Sequence, residues 1–275
     1  MSAELADVTV QFGDTLALQD VSVEVPAGTV VAVVGGDGAG KSTLLRTVVR
    51  EVTPTAGTVS APGKAEIGYL PASAGSWANL SVAENLDFAG GVYGMAGSEL
   101  ADRRTRLLTD AGLADVPGRL ARQLSGGMRR KLGFCMAIVH DPSLVVLDEP
   151  STGVDPVSRI DLWRMISRCA ADGAAVLMST TYLDEAERAG HLVILDAGQV
   201  LVQGTYDDVR AGFAGTVTTG TRAVRPQWSW RRGRQRHEYW PVGEALPTDC
   251  TTTEPDLEDI VIALSLQRQL TPVPA

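Results

Sequence analysis

The chain opens with hydrophobic and polar positions that alternate with a period of two. Residues 7–12 and 20–25 follow this pattern, and Gly13 and Asp14 lie between them. Such alternation is typical of a strand with one buried face, so it predicts two antiparallel strands joined by a short turn.

Further along, short uninterrupted apolar runs take turns with longer helical patterns. The runs at 29–34, 67–70, 144–147 and 174–178 predict strands buried on both faces. Helical patterns cover 42–50, 81–93, 98–111, 124–139 and 157–171. Strands that alternate with helices predict an α/β domain with a parallel sheet covered on both faces.

The character of the chain changes in its last third. Residues 192–195 and 200–202, separated by a turn at 196–198, predict a hairpin. Beyond about residue 208, Gly, Thr and Arg dominate until an amphipathic helix predicted at about 257–270. We therefore expect one domain over 1–208 and a C-terminal extension over 209–275.

Composition narrows the class of protein. The chain has 275 residues, of which 44% are hydrophobic and 21% charged, as in a globular protein. A formal net charge of −9 does not steer the whole chain to nucleic acid or anionic lipid. No apolar run approaches the roughly 20 residues that span a bilayer, and a secretory signal pattern is absent from the N-terminus. Cys135, Cys169 and Cys250 are isolated, which favours a reducing cytoplasm and predicts buried small side chains.

Residues 35–42 match the phosphate-loop pattern G-x-x-x-x-G-K-[ST]. Its glycines let backbone N–H groups turn inward around phosphates, and the next helix points its positive end at the anion. Lys41 is predicted to bridge the phosphates, and the Ser42 hydroxyl to ligate Mg²⁺. The predicted ATP-binding residues of this loop are Gly35, Gly36, Asp37, Gly38, Ala39, Gly40, Lys41, Ser42 and Thr43.

Two acidic residues follow the apolar run at 144–147. An acid at the carboxyl end of a parallel strand lies in the crevice where α/β sheets bind ligands. Asp148 is predicted to hold Mg²⁺ through water, and Glu149 to polarise the attacking water as general base.

The order of the motifs identifies a family. Leu-Ser-Gly-Gly-Met at 124–128 resembles the signature of ATP-binding cassette (ABC) proteins, and Phe12 occupies the place of their adenine-stacking aromatic. The resemblance covers about residues 5–208. It implies a P-loop NTPase fold of the α/β class with a mixed sheet, an antiparallel β subdomain, and an α-helical signature subdomain inserted at about 72–125. For Phe12 the alternative is a core aromatic in a strand.

The resemblance also implies a head-to-tail dimer of cassettes. Ser125, Gly126 and Gly127 would then cap, in trans, the ATP held by the phosphate loop of the other cassette. Two glycines at a helix N-terminus suit this role, because they form an anion site without obstructing side chains.

More narrowly, residues 180–187 and 254–260 resemble cassettes of multidrug-type exporters, above all the atypical first cassette of tandem two-cassette exporter ATPases. The expected protein is an ABC-type ATPase that uses ATP and Mg²⁺ at the cytoplasmic face of the cell membrane. Its expected partners are a transmembrane permease chain, met by about residues 72–88, and a second cassette, but not nucleic acid. Two alternatives remain: a soluble ABC ATPase acting on ribosomes or nucleic acid, and a non-hydrolysing, ATP-sensing regulatory cassette.

Two positions depart from the family pattern. Ala72 stands where the family carries a glutamine that touches Mg²⁺ and the attacking water, and Thr181 where it carries a histidine that hydrogen-bonds the γ-phosphate. Loss of one such donor costs on the order of 10²–10³ in rate. We therefore expect slow hydrolysis at the chain's own site and a heterodimer in preference to a homodimer.

The segment 222–240 combines arginine with aromatic residues. It predicts either a patch for lipid headgroups or nucleic acid, or a solvated, partly ordered sheet extension whose aromatic side chains pack on the cassette. The residues concerned are Arg222, Arg225, Arg231, Arg232, Arg234, Arg236, Trp228, Trp230, Tyr239 and Trp240.

Overall fold

The computed structural model describes residues 3–73, 75–248 and 250–270. The strands in these ranges are β1 (Ala3–Phe12), β2 (Thr15–Val25), β3 (Val30–Val34), β4 (Ala56–Ser60), β5 (Ile67–Leu70), β6 (Leu144–Leu147), β7 (Ala175–Thr180), β8 (His191–Asp196), β9 (Gln199–Gly204), β10 (Thr216–Gly220), β11 (Ser229–Arg232), β12 (Gln235–Trp240) and β13 (Thr251–Thr253). The α-helices are α1 (Lys41–Val48), α2 (Val82–Val92), α3 (Gly97–Asp110), α4 (Gly126–Ile138), α5 (Pro156–Ala171), α6 (Leu183–Ala186), α7 (Tyr206–Ala211) and α8 (Leu257–Leu270).

The chain divides into two compact units, Met1–Val200 and Leu201–Ala275. The main sheet has the order β5-β6-β7-β3-β8-β9, and β5, β6, β7, β3 and β8 are parallel to their neighbours. The two-residue turn Ala197–Gly198, in which both residues have positive φ, joins β8 to β9. A two-residue turn of this type connects antiparallel strands, so the sheet is mixed, and the predicted hairpin is present.

The register of the parallel strands aligns their carboxyl ends. Leu70 pairs with Leu147, Leu147 with Met178, and Val34 with Thr180. The segments that follow β3, β5, β6 and β7 therefore emerge at one edge of the sheet, where α/β proteins bind ligands.

A second sheet, of order β2-β1-β4, is antiparallel. It contains the two alternating strands predicted at the start of the chain. Its third strand, β4, was not predicted, because the sequence Ala-Gly-Thr-Val-Ser has one large apolar side chain and is mostly exposed. Side chains from this sheet, α1 and the parallel sheet share one hydrophobic cluster that includes Leu5, Val23, Leu44, Val146 and Leu177.

Helices α2, α3 and α4 lie between β5 and β6 in the chain and contact one another. Two of these helices begin at a serine whose side chain caps them. Ser81 caps α2 in a capping box with Glu84, and Ser125 caps α4 by accepting the N–H of Met128 at 3.2 Å. The predicted α/β class, with a mixed sheet, an antiparallel β part and inserted helices, is confirmed.

Among the described residues, none of the helices combines the length and the apolar character needed to cross a membrane.

Of the cysteines, Cys135 is fully buried in α4, as predicted, and burial raises its pKa to about 12. Cys169 and Cys250 are only partly buried, which corrects the prediction for those two.

The second unit contains a four-stranded sheet of order β11-β12-β10-β13, whose strands are all antiparallel to their neighbours. Val217 and Tyr239 from the sheet and Ala263 from α8 form its buried cluster. Trp228 and Trp230 pack against that cluster. Helix α8 has the bounds predicted from its amphipathic pattern, and it packs on the sheet extension.

Two of the arginines in 222–240 belong to the packing of this unit. The Arg225 guanidinium lies 4.0 Å from the centre of the Trp240 ring and donates to the carbonyl of Tyr239. Arg232 donates to Asp256 at 2.7 Å and to buried Asp259 at 3.3 Å. The structure therefore supports a sheet extension, with side chains that pack within the second unit. Because these two arginines take part in that packing, an anion-binding patch would contain fewer arginines than the sequence suggests.

We predict that Ile260→Ala destabilises the second unit by about 2–5 kcal/mol, because Ile260 is fully buried in α8 and truncation leaves a cavity. Urea unfolding followed by tryptophan fluorescence measures the change, since Trp228, Trp230 and Trp240 lie in this unit. The control is Leu270→Ala at the exposed end of the same helix, which should change stability by less than about 1 kcal/mol. Equal effects of the two substitutions would show that α8 is not anchored by its buried face.

Candidate functional site

The phosphate loop joins β3 to α1, and two of its glycines are required by close backbone contacts. A Cβ at Gly35 would lie 2.2 Å from the carbonyl oxygen of Leu195. Gly40 has φ +104, and a Cβ there would lie 2.7 Å from the carbonyl oxygen of Ala17. Between them, Gly36, Asp37 and Gly38 are exposed, and Ala39 is buried. The loop is thus closed on its sheet side and open on the other side, as an anion-binding loop requires.

Lys41 is held at the open side of the loop. Its side chain is only 5% exposed, and Nζ donates to the carbonyl oxygens of Gly35 at 2.8 Å and Gly36 at 3.1 Å. Nζ also lies 3.6 Å from Oε1 of Glu149. A buried cation paired with one carboxylate at the N-terminus of a helix can neutralise an incoming phosphate chain.

Two hydroxyl groups converge on the Asp148 carboxylate. Ser42 Oγ donates to Oδ1 at 3.1 Å, and Ser179 Oγ donates to the same oxygen at 2.7 Å. Asp148 is only 3% exposed. Sequence reasoning missed Ser179, although its place at the end of an apolar strand beside Asp148 is the signal that points to it.

The oxygen atoms of Ser42 and Asp148 fit Mg²⁺. This ion prefers hard oxygen ligands and is commonly bound by one or two carboxylates together with water and substrate phosphates. Among the described residues, no group of three or more His, Cys, Asp or Glu side chains could hold a metal by itself. The oxygen atoms of Ser42 and Asp148 therefore suit a metal ion that is also ligated by the oxygens of a bound phosphate group.

Glu149 has an unusual backbone conformation. Its φ is +47, in the left-handed region that costs a non-glycine residue about 1–2 kcal/mol. Its N–H donates to Ser179 Oγ at 2.8 Å, and Oε2 accepts from Thr152 Oγ1 at 3.1 Å. The carboxylate is 24% exposed and lies beside Lys41, where it can polarise a water molecule next to a bound phosphate.

The segments that follow β5 and β7 carry Ala72 and Thr181, both exposed at the same edge of the sheet. Sequence reasoning did not single out Glu185, which organises this edge. The buried Oε2 of Glu185 accepts from Ser151 Oγ at 2.7 Å and from Thr180 Oγ1 at 2.9 Å. It therefore ties the segment after β6 to the segment after β7.

Ser125, Gly126 and Gly127 do not lie at the phosphate loop but beside the segment that follows Glu149. Ser125 and Gly126 are exposed, whereas Gly127 is buried where a Cβ would lie 2.6 Å from Ser158 Oγ. Gly127 thus allows α4 to approach the start of α5, which Asp155 caps. The backbone N–H of Ser158 lowers the pKa of the Asp155 carboxyl. The structure therefore exposes the N-terminus of α4 on a second surface of the first unit.

Phe12 ends β1 and is 51% exposed, so it is not a core aromatic. It pairs with Thr15 at the start of β2, and the same strand brings the Ala17 carbonyl against Gly40 of the phosphate loop. Thr43, the last predicted residue of the loop, is half-buried in α1. An exposed aromatic ring on the hairpin that borders the loop can stack on a base.

Comparisons with known proteins agree on one family. The family described as ABC transporter matches residues 18–152. The chain is 37% identical to the probable multidrug ABC transporter ATP-binding protein YbhF of Escherichia coli (strain K12), over 74% of this chain and 37% of that relative. It is 34% identical to the daunorubicin resistance ATP-binding protein DrrA3 of Streptomyces coeruleorubidus, over 74% of this chain and 68% of that relative. The chain thus spans little more than a third of YbhF.

A solved structure described as the ATP binding subunit of an ABC transporter has the same fold. It matches with a TM-score of 0.71 and 30% identity, and the match covers 77% of this chain and 92% of that one.

We predict that Gly35→Ala destabilises the first unit by about 1–3 kcal/mol, because the added Cβ meets the Leu195 carbonyl. Urea unfolding measures the loss. The matched control is Gly36→Ala, where a Cβ meets nothing within 4 Å, and its stability should stay within about 0.5 kcal/mol of the unsubstituted chain. A neutral Gly35→Ala variant would contradict the close packing of the loop on β8.

Proposed function

This chain belongs to the ABC transporter family, and from that premise we propose that it is the ATP-binding and ATP-hydrolysing subunit that energises a membrane exporter. One observation carries the proposal: Lys41, Ser42, Asp148 and Glu149 meet at the carboxyl edge of the parallel sheet. The names of the relatives, which concern multidrug export and daunorubicin resistance, support the exporter class.

In this proposal each residue has one task. Lys41 and the N–H groups of residues 35–43 bind the β- and γ-phosphates of ATP. Ser42 ligates Mg²⁺, and Asp148 holds it through water, while Ser179 orients the Asp148 carboxylate. Mg²⁺ supplies charge neutralisation of the phosphates. Glu149 orients and polarises the attacking water, and Phe12 stacks on adenine.

We further propose that Ser125, Gly126 and Gly127 act on ATP held by a second cassette. Ser125 and Gly126 are exposed at the N-terminus of the 13-residue helix α4, and its first turn contains no acidic residue. Free N–H groups at such a terminus favour an anion.

A transmembrane permease chain is the second proposed partner. With such a partner, this chain would lie at the inner face of the membrane. In the proposed domain division the cassette covers 1–208 and the extension 209–275.

Ala72 and Thr181 support a finer proposal, in which the chain's own site binds ATP but hydrolyses it slowly. The Ala72 side chain has no hydrogen-bond donor, and Thr181 offers a short hydroxyl in place of the longer histidine ring. A competent site would then be formed by the signature of this chain and the phosphate loop of a different cassette. The resemblance of residues 180–187 and 254–260 to the first cassette of tandem exporter ATPases fits this arrangement.

The second candidate function is a regulatory cassette that senses ATP without hydrolysing it. Ala72 and Thr181 favour it, but the position of Glu149 beside Lys41 favours a catalytic site. A soluble ABC ATPase acting on ribosomes or nucleic acid has no specific observation in its favour.

We predict that the purified chain binds a fluorescent ATP analogue but turns ATP over slowly by itself. Glu149→Gln should retain binding and remove the residual turnover, because the amide cannot act as a base. Brisk turnover by the isolated chain would contradict the slow-site proposal, and absence of ATP binding would contradict the function as a whole.

We predict that Ala72→Gln combined with Thr181→His raises the turnover of the chain by at least about tenfold, since each substitution restores a transition-state donor. The effects need not add, because both donors act on one reacting centre. Ala78→Gln, at an exposed alanine in the same connection, is the control and should leave turnover unchanged. Unchanged turnover in the double variant would mean that these positions do not limit the rate.

We predict that Phe12→Ala weakens ATP binding by about 1–3 kcal/mol without weakening tripolyphosphate binding, because only the stacking contact is lost. Competition of both compounds with the fluorescent analogue measures this. The control is Leu16→Ala at the neighbouring exposed apolar position, which should affect neither ligand. Equal weakening of both ligands by Phe12→Ala would exclude adenine stacking as its role.

A further inference from the structure

Arg130 is a buried arginine in the second turn of α4, and its four hydrogen-bond acceptors among the described residues are all backbone carbonyl oxygens. Nη1 donates to Pro71 at 3.0 Å and Ser73 at 2.6 Å. Nη2 donates to Ala72 at 2.6 Å and to Glu149 at 2.9 Å. The residue is 7% exposed.

This arrangement joins three parts of the unit through one planar group. The guanidinium fixes the positions of three elements relative to one another: the segment after β5, the segment after β6, and α4, which Ser125 caps. Charged donors make stronger hydrogen bonds than neutral ones, and a rigid fork imposes their directions. Burial lowers the pKa of Arg130, whereas the charges of Asp148 and Glu149 raise it, so the nearby carboxylates help to stabilise the buried cation.

The contact with Glu149 is made at a strained peptide. Glu149 has φ +47, and a strained residue at a functional site persists only when its surroundings hold it. Ser179 Oγ accepts the N–H of Glu149, and Arg130 donates to its carbonyl oxygen. Thr152 N–H donates to the same carbonyl at 3.2 Å. Both backbone polar groups of Glu149 are therefore held by neighbours, and these contacts fix the backbone from which the carboxylate extends.

We propose that Arg130 is a positioning residue that holds Glu149 in its strained conformation and couples it to α4. The proposal rests on the function proposed above, in which Glu149 is the general base. Because α4 begins at the surface that would meet the ATP of another cassette, a displacement of that helix would reach Glu149 through Arg130. Position 72 is alanine and carries no side-chain amide. The hydrogen bonds that Arg130 donates to the carbonyls of Ala72 and Glu149 nevertheless link the segment after β5 to the general base.

The test compares Arg130→Lys with Arg103→Lys in the full chain. Arg103 also donates from a helix to two backbone carbonyls, those of Ile138 and Val139, but it makes these contacts at the far end of α4. Arg130→Lys retains the charge and loses the fork that spans both segments. Single-turnover hydrolysis at saturating ATP and Mg²⁺ should fall by about 10- to 100-fold in Arg130→Lys, with the affinity for ATP within about twofold of the unsubstituted chain. Arg103→Lys should change neither quantity.

Hydrogen exchange of the nucleotide-free chain provides a second measurement. The backbone amides of Glu149, Ser151 and Thr152 should exchange at least about tenfold faster in Arg130→Lys than in Arg103→Lys, because the strained segment opens more often. If the hydrogen-exchange protection of these amides is unchanged in Arg130→Lys, the proposal is wrong. It is also wrong if the single-turnover rate of this variant is unchanged.

The two measurements separate two kinds of failure. If the unsubstituted chain neither binds nor hydrolyses ATP, the function proposed above fails. The exchange of residues 149–152 still shows whether Arg130 holds this peptide. A third variant, Arg130→Met, removes the charge as well as the fork. If it unfolds the chain, Arg130→Lys remains the decisive variant, since it retains the buried charge.

Discussion

The site depends on the hydrogen bonds that converge on the buried carboxylate of Asp148. Ser42 donates from the helix after β3, and Ser179 donates from the end of β7, so one oxygen atom links three segments that are far apart in the chain. These bonds exist because the parallel register aligns the strand ends, and because a buried carboxylate requires donors. Lys41 and Glu149 take their places around this centre.

The strain at Glu149 follows from that arrangement. The segment after β6 must turn sharply so that Asp148 points to Ser42 while Glu149 points to Lys41, and a positive φ at Glu149 accomplishes the turn. Ser179 serves both residues, because its Oγ donates to Asp148 and accepts the N–H of Glu149. Arg130 completes the support from α4. The backbone of the proposed general base is thus held from β7, from α4 and by Thr152 of its own segment.

The second unit is stabilised in a different way from the site of the first unit. Its core is small, with Val217, Tyr239 and Ala263 at the centre, and charged groups stabilise its edges. Arg225 lies over an aromatic ring, and Arg232 is bonded to acidic residues at the start of α8. Two arginines that the sequence groups with a binding patch are therefore part of the fold, because their side chains pack and pair inside the unit.

Local patterns in the sequence determined much of this protein. The period of two at 7–12, the apolar runs before residues 35 and 148, and the helical pattern at 124–139 predicted strands, helices and the order of the motifs, because each depends on neighbouring residues alone. They did not predict β4, and they left the sheet of the second unit as one of two alternatives for 222–240, because its Thr-, Gly- and Arg-rich strands are stabilised by cross-strand partners. Only the tertiary structure decided the roles of Ser179, Glu185 and Arg130. Their partners are distant in the chain, and hydrogen bonds between distant segments form only where the folded backbone brings them together.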